Sequence, residues 1–438
     1  MSATRPAGLR WYVLLVLFLI CAFNFADRFI LSILAQNIKA ELALSDWEVG
    51  LLIGPASAFL YAILGIPMAY LADRVNRVGF LAVCLTIWSV LTALGGASSN
   101  ALQLAAARIG VSSAEAGGSP SSSSIIADYF PRRERPMAMG IYAAGIMVGI
   151  CIAFAAGSLL NAAVGWRRTL MLAGAPGIPL AILLFSTVRE PTRGSCDTDD
   201  DGNPTVPSMP VSMIASLRVL WHSTFYRQMV IAAGASTFCV FTVLHWGPSL
   251  IIRKFYGGSS AGTAGIGLGI GIALSGGLAS VIGGRVTTGL AGRGMIRPLR
   301  LAALLQMLGG PLMLAAWFAP TLELCLLLLG LSWGFLSFFS PIFYAAAQSD
   351  VPSHVRGMAL AVLLLIISIV SNGLSAPIIG LFSDVLRPTM GEASLQYALA
   401  IATLPTLLTA FLLFRAAKLF SHDKEKSENT VCVGDVPR

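Results

Sequence analysis

Twelve apolar stretches divide this chain, near residues 11-35, 48-71, 79-98, 101-127, 136-161, 168-188, 226-251, 263-287, 298-318, 321-347, 355-382 and 394-418. At ~1.5 Å of rise per residue, each is long enough as a helix to cross a hydrocarbon core of roughly 30 Å. The runs are continuous and show no ~10-residue alternation of apolar and polar side chains, so they read as helices and not as strands of a membrane barrel. A helix also satisfies its own backbone hydrogen bonds in lipid. With 56% hydrophobic and only 11% charged residues over 438 positions, there is too little polar surface for a water-soluble globule. The expected architecture is an all-α integral membrane protein with twelve transmembrane helices in two six-helix bundles.

A stretch rich in Pro, Asp, Ser and Thr separates six runs from six, which sets the expected domains: an N-terminal bundle over 1-188, a cytoplasmic linker over 189-225, a C-terminal bundle over 226-420 and a disordered tail over 421-438. Inside the linker, Asp197, Asp199, Asp201 and Gly202 spell the opening of a calcium-binding loop. The twelfth position, which should be a bidentate Glu, is Ser208, so the segment reads as a solvated acidic linker. The first run follows Arg5 and Arg10, has no small-residue cleavage site and reads as a retained helix.

With the N-terminus inside, 21 of the 29 Lys and Arg residues fall on the cytoplasmic side, six outside (Lys39, Arg167, Arg168, Arg253, Lys254 and Arg387) and two, Arg28 and Arg108, within the membrane. The positive-inside rule therefore places both termini in the cytoplasm, and a bacterial inner membrane is the expected location. This bias and the anionic inner leaflet account for the net charge of +8 without a nucleic-acid partner. The seven cysteines, Cys21, Cys84, Cys151, Cys196, Cys239, Cys325 and Cys432, lack paired spacing and read as packing residues. No cofactor, metal or catalytic group is expected, and the four dispersed histidines (His222, His245, His354 and His422) disfavour a membrane enzyme.

Four ionisable residues lie inside apolar runs: Asp27 and Arg28 in the first, Arg108 and Glu115 in the fourth. A charge at membrane depth costs several kcal/mol unless it is paired or faces water, so each is a functional candidate. Arg108 and Glu115 are seven residues apart and share a helix face, roughly 10 Å apart along the axis, with Ser112 between them. The first helix runs outward and the fourth inward, which places Asp27 near the depth of Arg108. An acid beside a guanidinium can release it on gaining a proton, so these four are the candidate proton-coupling set. A static charge cluster is the alternative.

The loop after the second run reads Ala69-Tyr-Leu-Ala-Asp73-Arg74-Val-Asn76-Arg77. It resembles the G-x-x-x-D-R-x-G-R signature of the major facilitator superfamily, with Ala69 and Asn76 in place of two glycines. Such a loop can latch the cytoplasmic side: Asp73 against the N-terminal end of helix 11, where Pro352, Ser353 and His354 offer a cap, and Arg74 or Arg77 with Asp128. The corresponding place in the second half has Thr288 where an acid would be expected. The segments Asn24-Phe-Ala-Asp27-Arg28, Ala114-Glu115-Ala116 and Ile126-Ala-Asp128-Tyr-Phe narrow the resemblance to the spinster branch over roughly residues 12 to 165.

Glycines of helix 5 (Gly140, Gly145, Gly149 and Gly157) and helix 8 (Gly265, Gly267, Gly269, Gly271, Gly276 and Gly277) are expected to let helices approach closely. Gly117, Gly118, Ser119 and Pro120, and Asn372, Gly373 and Pro377, are expected hinges. The candidate substrate cavity joins Asn24, Arg108 and Ser112 to a second wall of Thr237, Phe241, Trp333, Ser337 and Phe338, with Trp246 beside it. His245 reads as a hydrogen-bonded or interfacial residue rather than a proton carrier. A charged wall facing an aromatic one suits a solute with an ionic head and an apolar body. The resemblance implies a monomeric transporter in membrane lipid that moves a lysophospholipid- or sphingolipid-like molecule with protons by alternating access. A proton-coupled carrier of small organic anions is the second reading, and a non-transporting sensor the third.

Overall fold

A computed structural model describes residues 7–72, 74–193, 213–257, 262–291, 295–338, 340–349, 351 and 355–434. All regular structure among them is helical. The helices are α1 (Ala7–Leu42), α2 (Asp46–Ile53), α3 (Pro55–Ala72), α4 (Arg77–Gly95), α5 (Ala101–Glu115), α6 (Gly118–Tyr129), α7 (Arg135–Gly174), α8 (Gly177–Thr187), α9 (Met213–His222), α10 (Thr224–Tyr256), α11 (Ala264–Ala291), α12 (Ile296–Phe318), α13 (Leu322–Ser337), α14 (Ser340–Ser349), α15 (Arg356–Ser368), α16 (Ser375–Met390), α17 (Ser394–Ile401) and α18 (Pro405–Gly434). Asp73, Ser353 and the acidic segment from Asp197 to Ser208 lie outside the described residues.

Each of the twelve apolar runs has a helical counterpart. Eight helical stretches among the described residues are long and apolar enough to cross a membrane. Two of these, Arg135–Thr187 and Arg356–Leu419, each carry two runs. The second and fourth runs are each split into shorter helices, α2 with α3 and α5 with α6. Inside α7 the chain turns at Gly165, whose φ of +78° lies in the left-handed region that favours glycine.

Both expected hinge regions coincide with helix breaks. α5 ends at Glu115 and α6 begins at Gly118, while a π-helical turn spans Ile369–Leu374 and includes Asn372 and Gly373. Two segments are more ordered than their composition suggested. Part of the polar linker forms α9, which buries Ser216 and Leu220. α18 continues to Gly434 through the expected tail, where a run of Lys and Glu favours helix over coil.

Contacts gather into two compact units. One contains Met1–Pro207, Val243–Ala273 and Asn372–Ala398; the other contains Ser208–Thr242, Leu274–Ser371 and Leu399–Arg438. In the first, α1 packs along α7 and α4 packs against α5, α7 and α8. Leu17, Leu81, Leu85, Trp88, Val111 and Phe130 form its apolar core. In lipid, such packing relies on close fit rather than on expulsion of water. Gly149 shows this fit, since a Cβ there would crowd the backbone of Ala22 and come 2.9 Å from Cβ of Phe25. Gly140, Gly271 and Gly277 have no such neighbour, so the glycine-packing expectation fails at those three positions.

In the second unit, α12 packs against α13 and α18 around Tyr226, Met229, Leu299, Ile342 and Leu413. Several polar groups inside it find partners, as burial favours. The Tyr226 hydroxyl donates to the Ala359 carbonyl at 2.6 Å, Gln306 Nε2 donates to Ser236 Oγ at 2.8 Å, and Ser332 Oγ donates to the Gly309 carbonyl at 2.7 Å.

Candidate functional site

Asp27 and Arg28 are consecutive on α1 and so point about 100° apart around its axis. Each meets a partner from α5. Arg108 donates to the Asp27 carboxylate at 3.3 Å and to the Asp27 carbonyl at 3.4 Å, and Thr92 of α4 donates to the same carboxylate at 2.7 Å. Arg28 donates to Glu115 at 3.1 Å, and its guanidinium lies over the rings of Phe25 and Tyr61, 5.2 and 4.5 Å from their centroids. Cation–π contacts of this kind stabilise a charge withdrawn from water. The four expected charges are thus brought together as two neutral pairs, Asp27–Arg108 and Arg28–Glu115, and all four residues are largely buried.

The pairs leave capacity unused. Arg108 Nε, Arg28 Nε, Glu115 Oε1, Ser112 Oγ and Asn24 Nδ2 are buried without a hydrogen-bond partner among the described residues. Of these residues Asn24 lines a cavity of about 110 Å³, together with Phe25, Tyr61, Trp88 and Tyr142 among others. It shares Phe25 and Tyr61 with Arg28. That volume accepts a few waters or a small polar group. Chemically, the set can take up a proton on a carboxylate, or trade a carboxylate for an incoming anion at a guanidinium.

The second-half residues are placed separately. Thr237 donates to the carbonyl of Ala233 in its own helix, Phe241, Ser337 and Phe338 are half-buried, and Trp333 is buried. Trp246 lies within the first unit, where its indole donates to the Ala376 carbonyl at 2.9 Å. His245 is also there, 3.0 Å from Ser375 Oγ and stacked on Phe29.

At the start of α4, Arg77 is buried and collects several acceptors. It donates to Asp128 at 2.5 Å, to Glu190 at 2.6 Å, to Ser124 Oγ at 2.8 Å and to the Pro191 carbonyl at 3.0 Å. Of the two arginines considered for Asp128, Arg77 takes that place. Arg74 is exposed and stacks on Tyr70, with its guanidinium carbon 3.7 Å from the ring centroid. Asn76, which stands where the signature has glycine, caps α4 by accepting the Gly79 amide at 2.7 Å.

A third cluster surrounds Asp46, the first residue of α2. Its carboxylate accepts from both terminal nitrogens of Arg253, from Lys39 and from Ser383, the last at 2.6 Å. Burial alone would raise its pKa, but Arg253, Lys39 and Ser383 together hold it down at about 2. Asp384 caps the same helix end, accepting the backbone N–H groups of Asp46 and Trp47 at 3.1 and 2.7 Å. The Ser45–Glu48 capping box completes it. α2 and α16 touch backbone to backbone: a Cβ on Gly50 would lie 2.6 Å from the Ala376 carbonyl oxygen, and one on Gly380 would strike the backbone of Asp46.

The sequence reading did not identify this third cluster. Asp46, Ser383 and Asp384 resemble loop polars, and Lys39 and Arg253 were counted only as topological charges. The S-x-x-E pattern at 45–48 was the one local signal of an ordered helix start. Thr92, Tyr61 and Glu190 were also missed, because an isolated polar residue in an apolar run carries no partner information.

Comparison with known proteins follows this geometry. Residues 17–371 match the sequence profile of the Major Facilitator Superfamily. An MFS-type efflux pump of Mycolicibacterium smegmatis is 28% identical over 396 residues, 89% of this chain and 88% of that protein. A D-galactonate transporter of Escherichia coli O6:H1 is 25% identical over 58% of this chain, which spans only 62% of that transporter. Among solved structures, a bacterial homolog of the human lysosomal transporter spinster, in an inward-facing and unoccupied conformation, superimposes with a TM-score of 0.84 at 26% identity, covering 96% of this chain and 99% of that one.

Proposed function

The chain belongs to the Major Facilitator Superfamily and resembles its spinster branch, and from that premise we propose that it is a proton-coupled transporter of an amphipathic, lysophospholipid- or sphingolipid-like solute with an anionic head. As a member it is an integral membrane transporter of a small molecule and not an enzyme. The observation that carries the finer reading is the pair of ion pairs on α1 and α5, one of which shares Phe25 and Tyr61 with a small, largely apolar cavity, with buried donors and acceptors left over. In this mechanism Asp27 and Glu115 are the titrating carboxylates. Protonating either one frees its guanidinium for the solute's head group and loosens α1 from α5, which couples proton movement to alternating access. Arg108 and Arg28 are the head-group partners, and Asn24 and Ser112 supply neutral hydrogen bonds.

Both termini lie on the cytoplasmic side in this reading, as the distribution of Lys and Arg supports. The Asp46 cluster then closes the outer end, and the Arg77 cluster, with the Asp73 and Ser353 latch, belongs to the inner end. The bacterial sources of the efflux pump and the D-galactonate transporter support a bacterial inner membrane.

The test is transport by purified protein in proteoliposomes. Asp27→Asn is expected to retain the wild-type elution profile and lose uptake driven by a pH gradient; unchanged proton dependence overturns the coupling role. A second reading, transport of small organic anions by the same residues, draws support from the similarity to a D-galactonate transporter. Competition between a lysophospholipid and D-galactonate for binding separates the two.

A further inference from the structure

A cavity of about 500 Å³ lies at the end of the first unit where α1, α10 and α16 come together, apart from the charge pairs of α1 and α5. Gln36, Lys39, Arg253, Arg387, Glu392 and Ser394 are its polar walls. Lys39 and Arg253 share a single ion-pair partner, the carboxylate of Asp46, and Asp384, which caps the same helix end through backbone N–H groups, forms no ion pair with either among the described residues. Arg387 adds a third cation. Its carboxylate partner, Glu392, is 3.9 Å away, and the side chains of the pair are 53% and 87% exposed, so the pairing is weak.

A second observation points to a ligand. Gln36 is 8% exposed, and its Oε1 accepts from Arg253 Nε at 2.7 Å, which orients the amide. Gln36 lines the cavity, and its Nε2 is a buried donor with no hydrogen-bond partner among the described residues. Leaving a buried donor unmet is unfavourable, so a group that accepts from it is favoured. Three cationic side chains and an orphaned amide donor, converging on a space of this size, select an oxyanion.

We propose that this cavity is a second anion site, taking a carboxylate or phosphate group of the transported solute, and that an anion bound there competes with Asp46 for Lys39 and Arg253. Occupancy would weaken the Asp46 cluster from outside and link arrival of solute to opening of that end. The anion site stands on its own geometry; only its link to opening rests on the transporter reading above.

The experiment is calorimetric titration of the purified full-length protein with three probes: inorganic phosphate, D-galactonate and dihexanoyl phosphatidic acid. Arg387→Gln is the principal variant, because its exposed side chain makes misfolding unexpected. Its affinity for the best probe should fall about tenfold, and Arg387→Lys should recover most of the loss. Tightest binding by phosphatidic acid identifies a lipid head group as the source, and tightest binding by galactonate a free organic acid. The proposal is overturned if no probe binds or if Arg387→Gln binds like the wild type. Failure of the coupling reading is read separately, from Asp27→Asn transport.

Discussion

Asp46→Asn is the sharpest perturbation of the Asp46 cluster, because it keeps the side-chain shape and removes the charge that two cations share. Two routes give its size. A carboxyl held at about 2 rather than near 3.8 stabilises its ionised form by on the order of 2–3 kcal/mol. The Asp46 side chain is 1% exposed, so solvent screening offers no discount. Removing one partner of a buried ion pair costs ~3–5 kcal/mol, since the surviving charges remain desolvated. The end closed by α2 and α16 should therefore open on the order of 10²- to 10³-fold more often. Hydrogen exchange followed by mass spectrometry reads this opening directly, because the amides of Asp46 and Trp47 are held by Asp384. Peptides covering residues 44–53 should exchange faster by that factor, with other segments of α1 little changed. An acceleration below about threefold would refute the reasoning. The pH dependence has a definite sign: because the folded pKa is lowered, the stabilisation is present above the ordinary carboxylate range and is lost only as pH falls from ~4 towards ~2. Corrected for intrinsic exchange, protection of 44–53 should be flat from about pH 5 to 8.

Further expectations follow from the other clusters. Glu115→Gln leaves the Arg28 guanidinium without a counterion and should lower stability by ~3–5 kcal/mol; the Arg28→Gln/Glu115→Gln double variant should recover part of it, and an additive thermal-denaturation cycle would count against the pairing. Arg77→Ala removes the common donor to Asp128, Glu190 and Ser124 and should cost a similar amount, with Arg77→Lys intermediate because it cannot reproduce the fork geometry; an unchanged denaturation midpoint contradicts this. Gly149→Val should force α1 away from α7 at a cost of ~1–3 kcal/mol, seen as a lower midpoint, while Gly140→Ala, with no neighbour in reach, should leave it unaltered.

How much was legible beforehand depended on how few meanings a residue could have. Asp27, Arg28, Arg108 and Glu115 stood out because a charge within an apolar run has little use except pairing or function, and the seven-residue spacing put two of them on one helix face. The breaks at Gly117 and at Asn372–Gly373 were readable because glycine and proline interrupt helices locally. Which acid meets which base was not readable, since that depends on how α1 rotates against α5. The Asp46 cluster was invisible for a further reason: its members are ordinary at the surface, and only a contact spanning 337 residues between Asp46 and Ser383 gives them meaning. Likewise, the glycines of α11 looked uniform in sequence, yet a Cβ at Gly265 or Gly269 would crowd α7, whereas one at Gly271 would have open space.

The adjacency of Asp27 and Arg28 makes α1 a shaft with two keys cut about 100° apart. Rotation of that shaft as a rigid body moves both keys at once, so the Asp27–Arg108 and Arg28–Glu115 contacts are mechanically linked. In the proposed coupling, a proton delivered to either carboxylate acts on a helix that both contacts hold, which favours a switch with two positions over a dial.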